Sequence, residues 1–178
     1  TVAIVQARMG STRLPGKVLA DLCGAPMLQR QLERVRRATS LDRVVVATST
    51  NETDLPIAEL CESLDVPCFR GDLNNVLARF LGAINEFDPE VVVRITADCP
   101  LISPSVIDSI VHSFFESDCD YLSNTLDPTF PDGVDVEVVR VSALRALARL
   151  DTDTHEREHV TLGIYRRPEQ FVVRNFTG

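Results

Sequence analysis

Short apolar runs rich in β-branched residues recur along the chain at Val2–Val5, Val44–Thr48, Val66–Phe69, Val91–Thr96 and Phe171–Val173, each bounded by turn or charged residues. Runs of this length and makeup predict strands buried on both faces. Between them, apolar positions fall at helical spacing: Leu28/Leu32/Val35, Ile57/Leu60/Cys61/Leu64, Leu77/Phe80/Leu81/Ile84 and Ile107/Ile110/Val111/Phe114, the stripe of a helix with one face on a core. Pro26, Pro56 and Pro104 stand near the starts of three of these helices, where a missing N–H costs little. Strand and helix alternate, which predicts right-handed βαβ units and an α/β fold with a mostly parallel sheet covered on both faces. After Asp120 the pattern changes. A turn-rich Asp127–Gly133 leads into the strict alternation Val134-Asp135-Val136-Glu137-Val138, a strand with one buried face and one carboxylate face. A helix over Ser142–Leu150, a polar stretch Asp151–His159 and the last strand follow.

Composition narrows the class. With 178 residues, 44% of them hydrophobic and 25% charged, the chain can build a real core and is not a disordered segment. No stretch approaches the ~20 apolar residues that span a bilayer, and no basic, then apolar, leader opens the sequence, so a cytoplasmic protein without membrane insertion is expected. Five cysteines, Cys23, Cys61, Cys68, Cys99 and Cys119, are an odd number without a C-x-x-C pair and read as reduced, mostly buried thiols. A formal charge of −8 argues against nucleic acid as a partner. The charge is uneven: residues 1–40 hold Arg8, Arg13, Lys17, Arg30, Arg34, Arg36 and Arg37 against Asp21 and Glu33. Arg30, Arg34, Arg36 and Arg37 read as the solvated face of a helix.

Arg8, Arg13 and Lys17 lie instead in a Gly/Pro-rich loop that follows the first strand, where α/β sheets bind ligands. Gly10 and Gly16 let backbone come close to a phosphate, and the three cations would suit a triphosphate. Five residues separate Gly10 from Gly16 where a P-loop has four, and Val18 replaces the hydroxyl residue that would hold Mg²⁺. From spacing alone, phosphate binding and simple turn formation both stay open.

The run Gln6-Ala7-Arg8-Met9-Gly10-Ser11-Thr12-Arg13-Leu14-Pro15-Gly16-Lys17 resembles the N-terminal signature of cytidylyltransferases of the spore coat polysaccharide biosynthesis protein F type, related to the acylneuraminate and 3-deoxy-manno-octulosonate cytidylyltransferases. The resemblance continues through Val45–Ser49, Val66–Gly71, Val76–Phe80, Arg94–Leu101, Phe130–Glu137 and Glu156–Thr161. It implies a three-layer α/β/α, Rossmann-like nucleotide-diphospho-sugar transferase fold (GT-A-like). It also implies transfer of CMP from CTP to a sugar acid or related sugar, with release of pyrophosphate, for surface polysaccharide or glycan synthesis. By resemblance Arg8, Arg13 and Lys17 contact the phosphates, Gln6, Ala7, Gly10 and Arg79 help to seat the nucleotide, and the protein is a homodimer.

Phosphoryl-type transfer is helped mainly by positioning and charge neutralisation, and Mg²⁺, with its preference for carboxylate, phosphate and water oxygens, is the expected cofactor. Asp98 directly follows the strand Val91–Thr96 and is by resemblance the metal-binding acid; its bland alternative is a cap on the Pro104 helix. Asp132, Asp135 and Glu137 are candidates to hold the acceptor. Asp135 and Glu137 could equally bind a second metal or form a solvated strand face.

The family carries a further acidic stretch of the form D-T-P-E-D-L, which contributes a metal-binding Asp in the octulosonate enzymes. Residues 1–178 are therefore expected to be one cytidylyltransferase-like domain without that end. This leaves three outcomes: impaired catalysis, Asp135 or Glu137 serving instead, or a nucleotide-binding module that does not catalyse. His155-Glu156-Arg157-Glu158-His159 also matches the H-E-x-x-H pattern of zinc metallohydrolases, with polar flanks and few third ligands against it.

Overall fold

The computed structural model describes residues 1–11, 14–150 and 152–178. The elements are β1 (Val2–Gln6), α1 (Met27–Val35), β2 (Arg43–Ser49), α2 (Leu55–Ser63), β3 (Cys68–Gly71), α3 (Val76–Phe87), β4 (Val91–Thr96), α4 (Pro104–Glu116), β5 (Tyr121–Ser123), β6 (Glu137–Arg140), α5 (Val141–Leu147), α6 (Thr154–Glu158), α7 (Leu162–Tyr165) and β7 (Val173–Asn175). The strands form one sheet in the order β3-β2-β1-β4-β6-β5-β7. Only β6 runs against the others, pairing antiparallel with both β4 and β5; β1 pairs in parallel with β2 and β4.

Alternation along the strands builds two cores. Ala3 and Val5 of β1, with Val44, Val46, Val93 and Ile95, meet Leu28, Leu32, Ile57, Ile107, Ile110 and Phe114 of α1, α2 and α4. Val2 and Ile4, with Val45, Ala47 and Val92, meet Leu77, Phe80, Ile84, Leu144 and Ile164 of α3, α5 and α7. Because both faces are covered, the central strands are apolar at nearly every position, and the expected three-layer α/β/α, mostly parallel fold is what the chain adopts. No helix among the described residues is long and apolar enough to cross a membrane.

The structure departs from the pattern in a few places. The alternating Val134–Val138 segment joins the ladder only from Glu137 onward. Ahead of that point the Asn124 amide accepts from the Val136 N–H at 2.9 Å and donates to the Val134 carbonyl at 3.0 Å, satisfying backbone that a partner strand would otherwise satisfy. The third strand starts at Cys68 rather than Val66, because Val66 N–H still closes α2 on the Cys61 carbonyl. The last strand starts at Val173, since Phe171 N–H continues a helical turn to Arg167. The polar stretch before His159 contains α6, whose first turn is capped by the Asp153 side chain on Glu156 N–H at 2.8 Å.

Candidate active site

Strands β1 and β4 are neighbours, with Gln6 level with Thr96. Their carboxyl ends release the basic loop and Ala97–Cys99 side by side. The loop is fastened from below: Ala7 N–H donates to the Ala47 carbonyl at 3.1 Å and Met9 N–H to Asp54 Oδ1 at 2.7 Å. Asp54 is buried and also accepts from Ser49 Oγ at the end of β2. Gly16 turns the loop back with φ 73° and donates to the Met9 carbonyl at 2.9 Å, a backbone conformation that glycine adopts without a Cβ penalty.

A cavity of about 290 Å³ opens there, lined by Gln6, Arg8, Gly10, Ser11, Lys17 and Asp98 among others. Lys17 Nζ lies 2.8 Å from Asp98 Oδ2. Partial burial opposes ionisation of Asp98, but the hydrogen bonds from Lys17 and Thr96 outweigh it and hold the carboxyl below its usual range. Asp98 is not the cap of α4; Ser103 holds that position. Arg8 reaches across the cavity to Glu158 of α6 at 3.3 Å.

A second cavity of about 220 Å³ shares Arg94, Thr96 and His159 with the first and adds Tyr121, Asp135, Glu137, Thr161 and Tyr165. Glu137 is not on a solvated face. Its Oε1 pairs with Arg94 Nη1, and its Oε2 accepts from Tyr121 at 3.1 Å and from Thr161 Oγ1. Asp135 is raised above the usual carboxylate range, first by desolvation and then by the negative charges of Asp132, Glu137 and Asp98. Asp132 itself sits on the turn before it, outside both linings.

Of the residues the sequence singles out, Gln6, Arg8, Gly10, Lys17 and Asp98 come together around one cavity, and Asp135 and Glu137 line the next. Arg13 lies outside the described residues. Ala7 is buried with its N–H already bonded. Arg79 is buried and absent from the cavity lining, donating Nη1 to the Asp72 carbonyl at 2.7 Å. The sequence reading missed Asp54, Arg94, Tyr121, Glu158 and Thr161. Arg94 had a signal, since a charge inside Val91-Val92-Val93-Arg94-Ile95 must find a buried partner.

Whether a divalent cation fits can be judged from Asp98. Lys17 donates to Oδ2, while the Cys99 thiol approaches Oδ1 at 4.0 Å. Among the described residues no group of three or more His, Cys, Asp and Glu side chains could hold a metal. One hard carboxylate oxygen beside a basic loop suits a cation that completes its shell with phosphate and water, and Asp98 fits that role. A zinc-hydrolase site fares worse. His155 and His159 do lie close, with ring centroids 4.4 Å apart. Glu156, the base such a site needs, is buried and bound by both terminal nitrogens of Arg167 at 2.8 and 3.0 Å.

The cytidylyltransferase family model matches residues 2–177. The chain is 36% identical to the spore coat polysaccharide biosynthesis protein SpsF of Bacillus subtilis over 176 residues, spanning 96% of this chain and 72% of that protein. It is 43% identical to a 3-deoxy-manno-octulosonate cytidylyltransferase of Zea mays over 116 residues, 63% of this chain and 38% of that protein. Among solved structures, a cytidylyltransferase from Leptospira borgpetersenii superposes with a TM-score of 0.94 at 32% identity, covering 99% of this chain and 76% of that one.

Proposed function

We propose that this chain, which belongs to the cytidylyltransferase family, transfers CMP from CTP to a hydroxyl of a sugar or sugar acid in the cytoplasm, for synthesis of a surface polysaccharide or glycan, with residues 1–178 acting as one domain. The observation that carries this reading is the Lys17–Asp98 pair, at 2.8 Å, in a cavity that Arg8, Gly10 and Ser11 of the basic loop also line. Arg8 and Lys17 bind and neutralise the triphosphate, with Arg13 as a third cation from the same loop, and backbone at Gly10 comes close to it. Gln6 borders the nucleotide at the end of β1.

Asp98 would hold Mg²⁺, which when bound would draw charge from the phosphate oxygens. In the transfer the acceptor oxygen bonds to the α-phosphorus, the bond from the α-phosphorus to the β-phosphate oxygen breaks, and pyrophosphate leaves. The hydroxyl proton passes to Asp135, whose raised pKa makes it a better base than an ordinary carboxylate. The second cavity holds the acceptor close to the nucleotide, so that little motion separates binding from attack.

Isothermal calorimetry with CTP, ATP, GTP and UTP in the presence of Mg²⁺ tests the nucleotide. Selective CTP binding is the expected result, and binding to none of the four would overturn the proposal. Asp98→Asn or Lys17→Ala should lower pyrophosphate release by about 100-fold or more; release that survives both changes removes these residues from the reaction.

A further inference from the structure

Asp54 stands directly before α2, at the position from which an aspartate ordinarily caps a helix, yet its side chain makes no cap bond. Little is lost by this, because Pro56 in the first turn of α2 already removes one of the N–H groups that a cap would serve. The carboxylate turns instead to the segments that frame the first cavity. Its Oδ1 accepts from Met9 N–H at 2.7 Å and its Oδ2 from Ser49 Oγ at the end of β2, and it does so while only 1% exposed.

Met9 is where a grip on the basic loop has most leverage. It lies between Arg8 and Gly10, which both line the cavity, and its carbonyl accepts from Ser11 N–H at 3.0 Å and from Gly16 N–H at 2.9 Å. Gly16 leads straight into Lys17, whose Nζ meets Asp98. A shift of Met9 therefore moves Arg8, Gly10, Ser11 and Lys17 together. The grip has an electrostatic cost, since both donors to Asp54 are neutral and a buried carboxylate needs an opposite charge. Arg79 of α3 is likewise 1% exposed and rests its Nη1 on the Asp72 carbonyl at 2.7 Å. Burial draws its guanidinium below the ordinary range; the attraction of Asp54 is the foremost effect opposing that, ahead of Asp72, while Arg8 repels it.

We propose that Asp54 is a positioning residue for nucleotide binding: through Met9 it sets the phosphate-facing groups of the basic loop before CTP arrives, and Arg79 is the buried counter-charge that keeps it there as a carboxylate. A loop ordered in advance spends less of its binding energy on ordering itself, so the same contacts give tighter binding. The two charges are linked. Loss of one leaves the other buried alone, which costs more than loss of both. The inference rests on the nucleotide-transfer reading above and extends it to two residues outside the cavity lining.

Calorimetry of the unaltered chain with CTP and Mg²⁺ comes first; absence of binding there removes the transfer reading, and this inference with it. Against a parent that binds, Asp54→Asn keeps an acceptor for Met9 N–H but leaves Arg79 unopposed, and Arg79→Met does the converse. Each should weaken CTP binding about tenfold, and the double variant should bind at least about threefold more tightly than either single one. In pyrophosphate release the loss should fall on KM for CTP more than on kcat. Ser49→Ala removes one bond to the carboxylate and leaves both charges in place. It should melt within about 4 °C of the parent and weaken CTP binding about two- to fivefold, and it reads the same grip if a single-charge variant fails to fold. Single variants that bind CTP within about twofold of the parent, a double variant no tighter than either, or a Ser49→Ala protein with unchanged CTP affinity would overturn the proposal.

Discussion

At the scale of single residues, two carboxylates outside the cavities show how side chains fix loops. Asp54 ties the basic loop to the end of β2 through Met9 N–H and Ser49 Oγ. Asp108 of α4 does the same for the turn after α1, accepting from the N–H and hydroxyl of both Thr39 and Ser40 at 2.7 to 3.1 Å. Burial alone would raise the Asp108 pKa, but these four bonds outweigh it and lower it. A depressed folded-state pKa stabilises the fold above the unfolded value near 4, and that contribution is lost as pH falls through the folded value. Asp108→Asn should therefore cost about 1 kcal/mol at pH 7, with the deficit shrinking toward pH 3. Urea denaturation at both pH values checks this; an equal deficit at each would place the effect in packing instead of charge. Neither carboxylate was legible in the sequence, because an Asp in a polar stretch carries no mark of which distant N–H groups it will meet.

At the scale of elements, the long helices and central strands could be read from the chain because period and punctuation agree there. The apolar stripe of α4 begins at Pro104 and runs through Ile107, Ile110, Val111 and Phe114, all buried. Short elements escaped because their partners decide them. β5 has three residues and exists only where β6 and β7 flank it, and Asn124 shortens β6 through contacts twelve residues away in sequence. In the same way the basic loop and Asp98 were legible as candidates, while the Arg94–Glu137 pair needed the antiparallel register of β4 and β6. Packing between elements also overrides local preference at Gly82 in α3, where a Cβ would overlap the Phe69 ring of β3. Helix propensity favours Gly82→Ala by about 1 kcal/mol, whereas overpacking opposes it by about 1–3 kcal/mol. The variant is expected to melt at a lower temperature than the parent; a higher melting temperature would mean that Phe69 can rotate away at little cost.

At the scale of the whole molecule, the cavities draw on both ends of the chain, with Arg8 from the first loop meeting Glu158 of α6. Helix α6 is short and is held by the fork of Arg167 on Glu156, and Arg167 also donates to the Gly163 carbonyl at 2.8 Å. Arg167→Ala would leave the buried Glu156 carboxylate unpaired. The loss should be about 2–3 kcal/mol, somewhat under the roughly 3–5 of a fully buried pair, because the Arg167 side chain is 22% exposed. Thermal melts would show the loss, and a several-fold rise in KM for CTP should accompany it as α6 loosens its hold on Arg8; an unchanged melting temperature would contradict the clamp. The strand order has a consequence of another kind, for a chain emerging from the ribosome. β1 can pair with β2 once Ser49 has been made, but its other edge must wait for β4, about 90 residues after β1 itself. At roughly 5–20 residues per second, the Val2–Gln6 segment stays half-paired for about 2–9 seconds, the time to make the residues between Ser49 and Thr96. The apolar strand that leads into the basic loop thus spends that time as an open edge, a stretch of the nascent chain that chaperones would shield.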